Sequence, residues 1–153
     1  MIYTDLTRKA MFVAYDAHNG QVDKAGVPYI YHPVHLAEQV NSEEACIVAL
    51  LHDVVEDTNV TIEKLEEMSF PEECIVALKL LSHDKNQDYF EYIENLKTNK
   101  LARKIKLLDL IHNSDKTRLT HEPTEQDLER LRKYHKSMQI LRYQIELEVS
   151  QSL

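Results

Sequence analysis

The sequence predicts an all-α fold, a single helical bundle of seven to eight helices. Apolar residues recur three and four apart along most of the chain, which is the spacing of a helix face. No stretch alternates convincingly with the period of two that a strand requires. The 153 residues include only 2 Gly and 4 Pro, too few for the many tight turns of a β-sandwich. A chain of this length suits one domain over residues 1–153. Such a domain typically buries about 70% of the surface its unfolded form exposes.

Leu6, Ala10, Val13 and Ala17 form the apolar stripe of a first helix, with Thr4 and Asp5 as caps and Asn19-Gly20 as its stop. Residues 20–31 hold both glycines and Pro28 and read as the one substantial loop. A second helix starts at His32-Pro33, where proline suits the first helical position. Asn41 or Ser42 caps a third, which runs to about Val55. A short helix follows from Thr61 to about Met68, and Pro71 opens another to about Ser82. Asp88–Leu96 and Lys100 to about Lys116 come next. Thr124-Glu-Gln-Asp127 has the form of a capping box for a last helix to about Val149. Its Leu128, Leu131, Met138, Leu141, Ile145 and Val149 make one stripe. That stripe reads first as core packing and second as a contact with another copy of the chain in a homo-oligomer.

Lys and Arg number 18 against 26 Asp and Glu, a net charge of −8. Nucleic-acid binding calls for a basic face, so no nucleic-acid partner is expected. No apolar run approaches the roughly 20 residues of a membrane span, so no membrane partner is expected either. The start, Met1-Ile-Tyr-Thr-Asp-Leu6, lacks the basic and apolar regions of a secretory signal. Cys46 and Cys74 lie in two copies of the string Cys-Ile-Val-Ala-Leu and have no CxxC partner. Both read as buried thiols in a reduced compartment, which makes the cytoplasm the expected location.

Chemistry concentrates in Leu50-Leu-His52-Asp53-Val-Val-Glu56-Asp57-Thr58. On a helix, His52 and Asp53 diverge by about 100°, yet both reach an ion lying against that side. Glu56 follows His52 by four and Asp53 by three, so it shares their face. Four ionisable groups among the apolar residues 47, 48, 50, 51, 54 and 55 are costly to bury unpaired. A metal ion resolves that cost by accepting imidazole and carboxylate lone pairs. Tyr29-Ile-Tyr-His32-Pro33 places another imidazole at a helix start, and Lys106-Leu-Leu-Asp109-Leu-Ile-His112-Asn113 places Asp109 and Asn113 one turn apart. His32, His52, Asp53 and Asp109 are then four candidate ligands from three stretches of chain. A lone His-Asp pair carries little weight, as His83-Asp84 shows in its polar surroundings. The signal is the conjunction. Two imidazoles and two carboxylates suit Mn²⁺ or Fe²⁺, with Mg²⁺ and Zn²⁺ as alternatives.

These motifs resemble those of the HD-domain hydrolases of the Rel/Spo group, which degrade the alarmone (p)ppGpp. The resemblance rests on His18-x-Gly20-Gln21, Gly26-x-Pro28-Tyr29-Ile30-x-His32-Pro33, Leu50-Leu-His52-Asp53-Val-Val-Glu56-Asp57-Thr58 and Lys106-Leu-x-Asp109-x-x-His112-Asn113, in that order. It spans residues 14–119, with the helix at about 124–149 beyond it. It implies the all-α HD fold and a divalent ion, usually Mn²⁺, on His32, His52, Asp53 and Asp109. It also implies Glu56 and Asp57 as the catalytic acidic pair and Asn113 near the substrate. Lys24, Tyr29, Lys106 and Lys116 are further candidates for substrate binding, the lysines because a phosphate-rich ligand needs positive charge in an acidic protein.

The departures bear on the substrate. Asp23-Lys24-Ala25 stands where that group carries Arg-Lys-Ser, whose arginine stacks on guanine. Asp115 stands where it carries another arginine, with Lys116 and Arg118 nearby, and Leu108 replaces a common alanine. The first reading is hydrolysis of a nucleotide such as guanosine 3′,5′-bis(diphosphate), with pyrophosphate leaving from the 3′ position. The alternatives are an HD phosphohydrolase of another nucleotide or of NADPH, and a non-catalytic, metal-stabilised sensor or interaction module.

Overall fold

Thr4 starts the first helix through a capping box with Thr7, each side chain meeting the other's backbone N–H. In the computed structural model, which describes residues 1–152, α1 spans Asp5–Ala17, α2 Tyr31–Ala37, α3 Glu43–Leu51 and α4 Val54–Asp57. Then follow α5 (Ile62–Glu67), α6 (Glu72–Leu81), α7 (Tyr89–Leu96), α8 (Lys100–Asn113) and α9 (Glu125–Gln151). Counting α3 and α4 as one bent helix gives eight among the described residues, within the expected range. The caps follow the sequence: Ser42, Thr61, Asp88, Asn99 and Thr124 each accept a backbone N–H of the helix they precede. None of the described helices is long and apolar enough to cross a membrane.

The packing is organised around α3. All seven residues from Ala45 to Leu51 are buried, and a helix that is apolar on every side belongs at the centre of a fold. It lies against α1, α2, α6 and α8. Cys46 and Cys74 are buried free thiols within this core, as expected.

Three expectations about the chain's path require correction. The third helix does not reach Val55. It ends at Leu51, and His52 and Asp53 form a turn before the single-turn α4. The His52 Nδ1–H donates to the Ala49 carbonyl at 2.8 Å and so occupies an acceptor at the helix end. Helix α8 ends at Asn113, short of Lys116, and Lys116–Arg118 forms a separate 3-10 turn capped by Asp115. The loop at 20–31 is ordered by its own hydrogen bonds. Val22 and Pro28 form an isolated antiparallel bridge, and Gly26 takes φ +79°, a region glycine enters without strain. Helix α2 therefore starts at Tyr31, with Pro33 two residues inside it.

On α9, Leu131, Met138 and Leu141 are buried, whereas Tyr143, Ile145, Leu147 and Val149 are exposed. The core thus uses the first part of the expected stripe. Arg103, from the basic run of α8, is buried and donates to both carboxylate oxygens of Glu148 at 2.8 Å, fastening the end of α9.

Replacing Leu50 by alanine should lower the unfolding free energy by about 2–5 kcal/mol in a urea titration. A loss below about 1 kcal/mol would contradict the central place of α3.

Candidate metal centre

The turn after α3 brings together side chains that lie far apart in sequence. His32 Nε2, His52 Nε2 and a carboxylate oxygen of Asp109 all lie within 4.8 Å of one another, and the three residues are buried. Asp53 Oδ2 sits 3.0 Å from His52 Nε2 and 3.5 Å from His32 Nε2. Asp109 Oδ1 is 3.2 Å from His32 Nε2 and 3.8 Å from His52 Nε2. All four predicted ligands therefore converge.

The two imidazole Nε2 atoms are buried without a hydrogen-bond partner. The other nitrogen of each ring explains why they face inward. His52 Nδ1 carries the proton donated to Ala49, which leaves a lone pair on Nε2. His32 Nδ1 lies 2.6 Å from His112 Nδ1. His112 Nδ1 also faces the Arg118 guanidinium, a group that can only donate. The network thus assigns His112 Nδ1 as the acceptor, His32 Nδ1–H as the donor and His32 Nε2 as a free lone pair. Burial, with Arg118 and His32 nearby, pushes the His112 pKa down to about 4, which keeps that ring neutral.

The carboxylates are held as carefully. The Tyr29 hydroxyl donates to Asp53 Oδ2. Asn113 Nδ2 donates to Asp109 Oδ1 and Lys106 Nζ to Asp109 Oδ2 at 2.8 Å. Burial alone would raise the Asp109 pKa, but the Lys106 ammonium and the two histidines hold it well below the usual carboxylate range. Asp53 behaves likewise: burial opposes ionisation, and His52 prevails and brings its pKa to about 2. Lone pairs facing carboxylates across about 3 Å require a proton or a cation between them. Two imidazole nitrogens and two carboxylate oxygens are a suitable donor set for a divalent first-row ion, and each carries the supporting hydrogen bonds typical of metal ligands.

Glu56 and Asp57 lie on α4 beside this cluster. The His83 N–H donates to Glu56 Oε2 at 3.2 Å, and Gln21 Nε2 donates to the Asp57 carbonyl at 2.9 Å. Partial desolvation raises the pKa of both side chains, although both residues remain exposed. For Asp57 the neighbouring Asp53 charge adds to that rise; for Glu56 it offsets part of the lowering by His83.

A cavity of about 290 Å³ opens beside the cluster. Lys24, Tyr29, Asn113 and Lys116, four of the five residues expected to bind substrate, line it. Lys106 is not on this wall; its ammonium is engaged by Asp109 and lies over the Tyr92 ring. Helix α9 contributes Arg130 and Tyr134 to the cavity, residues the sequence reading left unmarked. A second cavity of about 660 Å³ reaches His32, His35 and His112. The two share Asp23, Tyr29, Arg118 and Leu119 as a common wall. Of the basic run on α8, Arg103 and Lys104 face other partners, Glu148 and Asn41.

No family model matches the chain. It is 48% identical over 65 residues to the bifunctional (p)ppGpp synthase/hydrolase SpoT of Escherichia coli (strain K12), covering 40% of this chain. It is 37% identical over 120 residues, 69% of its length, to a probable guanosine-3′,5′-bis(diphosphate) 3′-pyrophosphohydrolase of Synechocystis. The matches cover 9% and 16% of those relatives' length. Among solved structures it is similar to a metazoan ortholog of SpoT described as hydrolysing ppGpp, with a TM-score of 0.73 and 24% identity. That likeness covers 90% of this chain and 85% of the other. The fold is therefore the helical HD hydrolase fold. By sequence the chain is a relative of the SpoT-type (p)ppGpp proteins, as the motif resemblance anticipated.

The cluster makes a pH prediction for protein freed of metal by a chelator. Burial alone would lower the His52 pKa, but Asp53 and Asp109 raise it from 6.5 to about 10. A raised histidine pKa contributes stability fully below pH 6.5, and that contribution is lost as pH climbs through about 10. Urea midpoints should fall over this window in the wild type, and less in His52→Gln. Equal slopes for the two proteins would contradict the assignment.

Proposed function

We propose that this chain is a metal-dependent phosphohydrolase whose substrate is a guanosine 3′,5′-bis(diphosphate), cleaved at the 3′ position. The observation that carries the reading is the pair of unpartnered Nε2 lone pairs aimed at the buried Asp109 and the partly buried Asp53, with Glu56 and Asp57 alongside. A structural site needs four closed ligands and nothing more. The added acidic pair and the adjoining cavity favour catalysis.

His32, His52, Asp53 and Asp109 would hold the ion, and Mn²⁺ is the species proposed. Such an ion would supply Lewis-acid chemistry, polarisation of a phosphoryl oxygen and acidification of a water. The protein side of the chemistry belongs to the acidic pair. Glu56 and Asp57 both have raised pKa values, which moves them toward the range where a carboxyl exchanges protons near neutral pH. One orients water and takes its proton, and the protonated form returns that proton to the leaving 3′ oxygen. One water is consumed, the bond between the 3′ oxygen and phosphorus breaks, and pyrophosphate departs. The cavity is lined by Lys24, Lys116, Arg118 and Arg130 together with Asp23, Asp115 and Asp127. Arg118 and Arg130 are paired with Asp23 and Asp127, so Lys24 and Lys116 are the cations left to attract a phosphate-rich ligand. Tyr29 and Asn113 line the same cavity and hold Asp53 and Asp109, so the substrate wall and the metal ligands are braced by the same side chains.

The expected result is Mn²⁺-dependent release of pyrophosphate from guanosine 3′,5′-bis(diphosphate). Glu56→Gln should retain metal and reduce kcat by roughly 10²-fold or more. Asp53→Ala should abolish release. Equal release by Asp53→Ala and wild type, or hydrolysis of other nucleotides alone, defeats the proposal.

A further inference from the structure

Arg118 takes no part in the chemistry outlined above, yet it touches the support of two candidate ligands. Its Nη1 donates toward three acceptors: the His112 carbonyl at 3.1 Å, Asn113 Oδ1 at 3.2 Å and His112 Nδ1 at 3.3 Å. Its Nη2 donates to Asp23 Oδ2 at 3.2 Å. Each contact has a consequence one residue further on. With Oδ1 occupied by a donor, the Asn113 carboxamide must turn its Nδ2–H₂ toward Asp109 Oδ1. With a guanidinium N–H facing Nδ1, a proton on that atom is disfavoured, so His112 Nδ1 presents its lone pair to His32 Nδ1–H, which leaves His32 Nε2 as a lone pair. A single guanidinium thus sets an amide orientation and a tautomer, and through them two ligands on different helices.

Asp23 is the counterpart on the loop. Its Oδ1 accepts from the Ala25 and Val27 N–H groups, closing the turn that carries Gly26, while Oδ2 receives Arg118. The pair is only partly exposed and forms part of the wall between the two cavities. The negative charge that replaces the loop arginine of the Rel/Spo group is therefore compensated within the structure.

We propose that Arg118 is a positioning residue: it locks the donor orientation of His32 and Asp109 through His112 and Asn113, and Asp23 couples that lock to the 21–29 loop. A planar fork can serve Asp23 on one side and His112 with Asn113 on the other, whereas a lysine ammonium is a point donor. The loop that borders the nucleotide cavity and the ion's ligands then respond as one unit.

The inference rests on the metal-centre reading, and its test separates the two. Mn²⁺ binding to chelator-treated protein is followed by electron paramagnetic resonance of the free ion, with the metal-free melting temperature recorded for each variant. Arg118→Ala should weaken Mn²⁺ binding by roughly 10-fold or more, the usual effect of losing a group that orients a ligand. Arg118→Lys should recover little of that loss. Asp23→Asn should weaken binding several-fold in the wild-type background and add nothing in the Arg118→Ala background. In hydrolysis of guanosine 3′,5′-bis(diphosphate), Asp23→Asn should raise KM more than it lowers kcat. Wild type that binds Mn²⁺ alongside an Arg118→Ala of equal affinity overturns the inference and leaves the metal centre standing. Full recovery by Arg118→Lys, or additive effects of Asp23 and Arg118, also overturns it. Should Arg118→Ala not fold, Asp23→Asn and Arg118→Lys carry the same comparison. Wild type that binds no Mn²⁺ defeats both readings.

Discussion

The structure depends on the meeting of two imidazole Nε2 lone pairs with two aspartate carboxylates in a space nearly closed to water. Unshielded, such a group of charges and lone pairs is unfavourable to bury, since each carboxylate loses several kcal/mol of hydration. Everything adjacent serves to fix it. Ala49 and His112 determine which nitrogen of each ring carries a proton. Tyr29, Lys106 and Asn113 occupy the carboxylate oxygens. A divalent cation would complete this arrangement, because it could accept all four donors at once and bring the charge that burial demands.

The fold supplies that meeting through an unusual use of its most apolar helix. Helix α3 lies at the centre, wholly buried, and it stops at Leu51 so that two polar residues can turn toward α2 and α8. His52 and Asp53 keep backbone angles in the helical region, and their side chains still reach one point, with Asp53 Oδ2 3.0 Å from His52 Nε2. Stability of the core and reactivity of the site therefore join at one chain position, and α4 follows at once with Glu56 and Asp57.

The helical class, most caps and the four side chains that converge were legible because each has a local signature: a 3.6-residue period, a Thr or Ser before the helix, an acid or imidazole set among apolar residues. The break after Leu51 was not, because Leu50-Leu51 and Val54-Val55 continue an apolar pattern across it and the competing acceptor at Ala49 depends on a side-chain bond. The early end of α8 was missed for a similar reason, since Asp115 caps a separate turn that residue spacing alone does not distinguish from more helix. The pairing of Asp23 with Arg118, 95 positions away in the chain, was not legible either. Arg130 and Tyr134 escaped notice because an amphipathic helix says which side faces the protein, not which of those residues border a cavity. Long-range pairings of this kind are set by tertiary packing and leave no periodic trace.

The most direct examination is anomalous diffraction at the manganese edge from crystals grown with Mn²⁺. The account predicts one strong peak within bonding distance of His32 Nε2, His52 Nε2 and carboxylate oxygens of Asp53 and Asp109. An empty centre under saturating Mn²⁺, or a peak held by other residues while these four keep their present contacts, would contradict it.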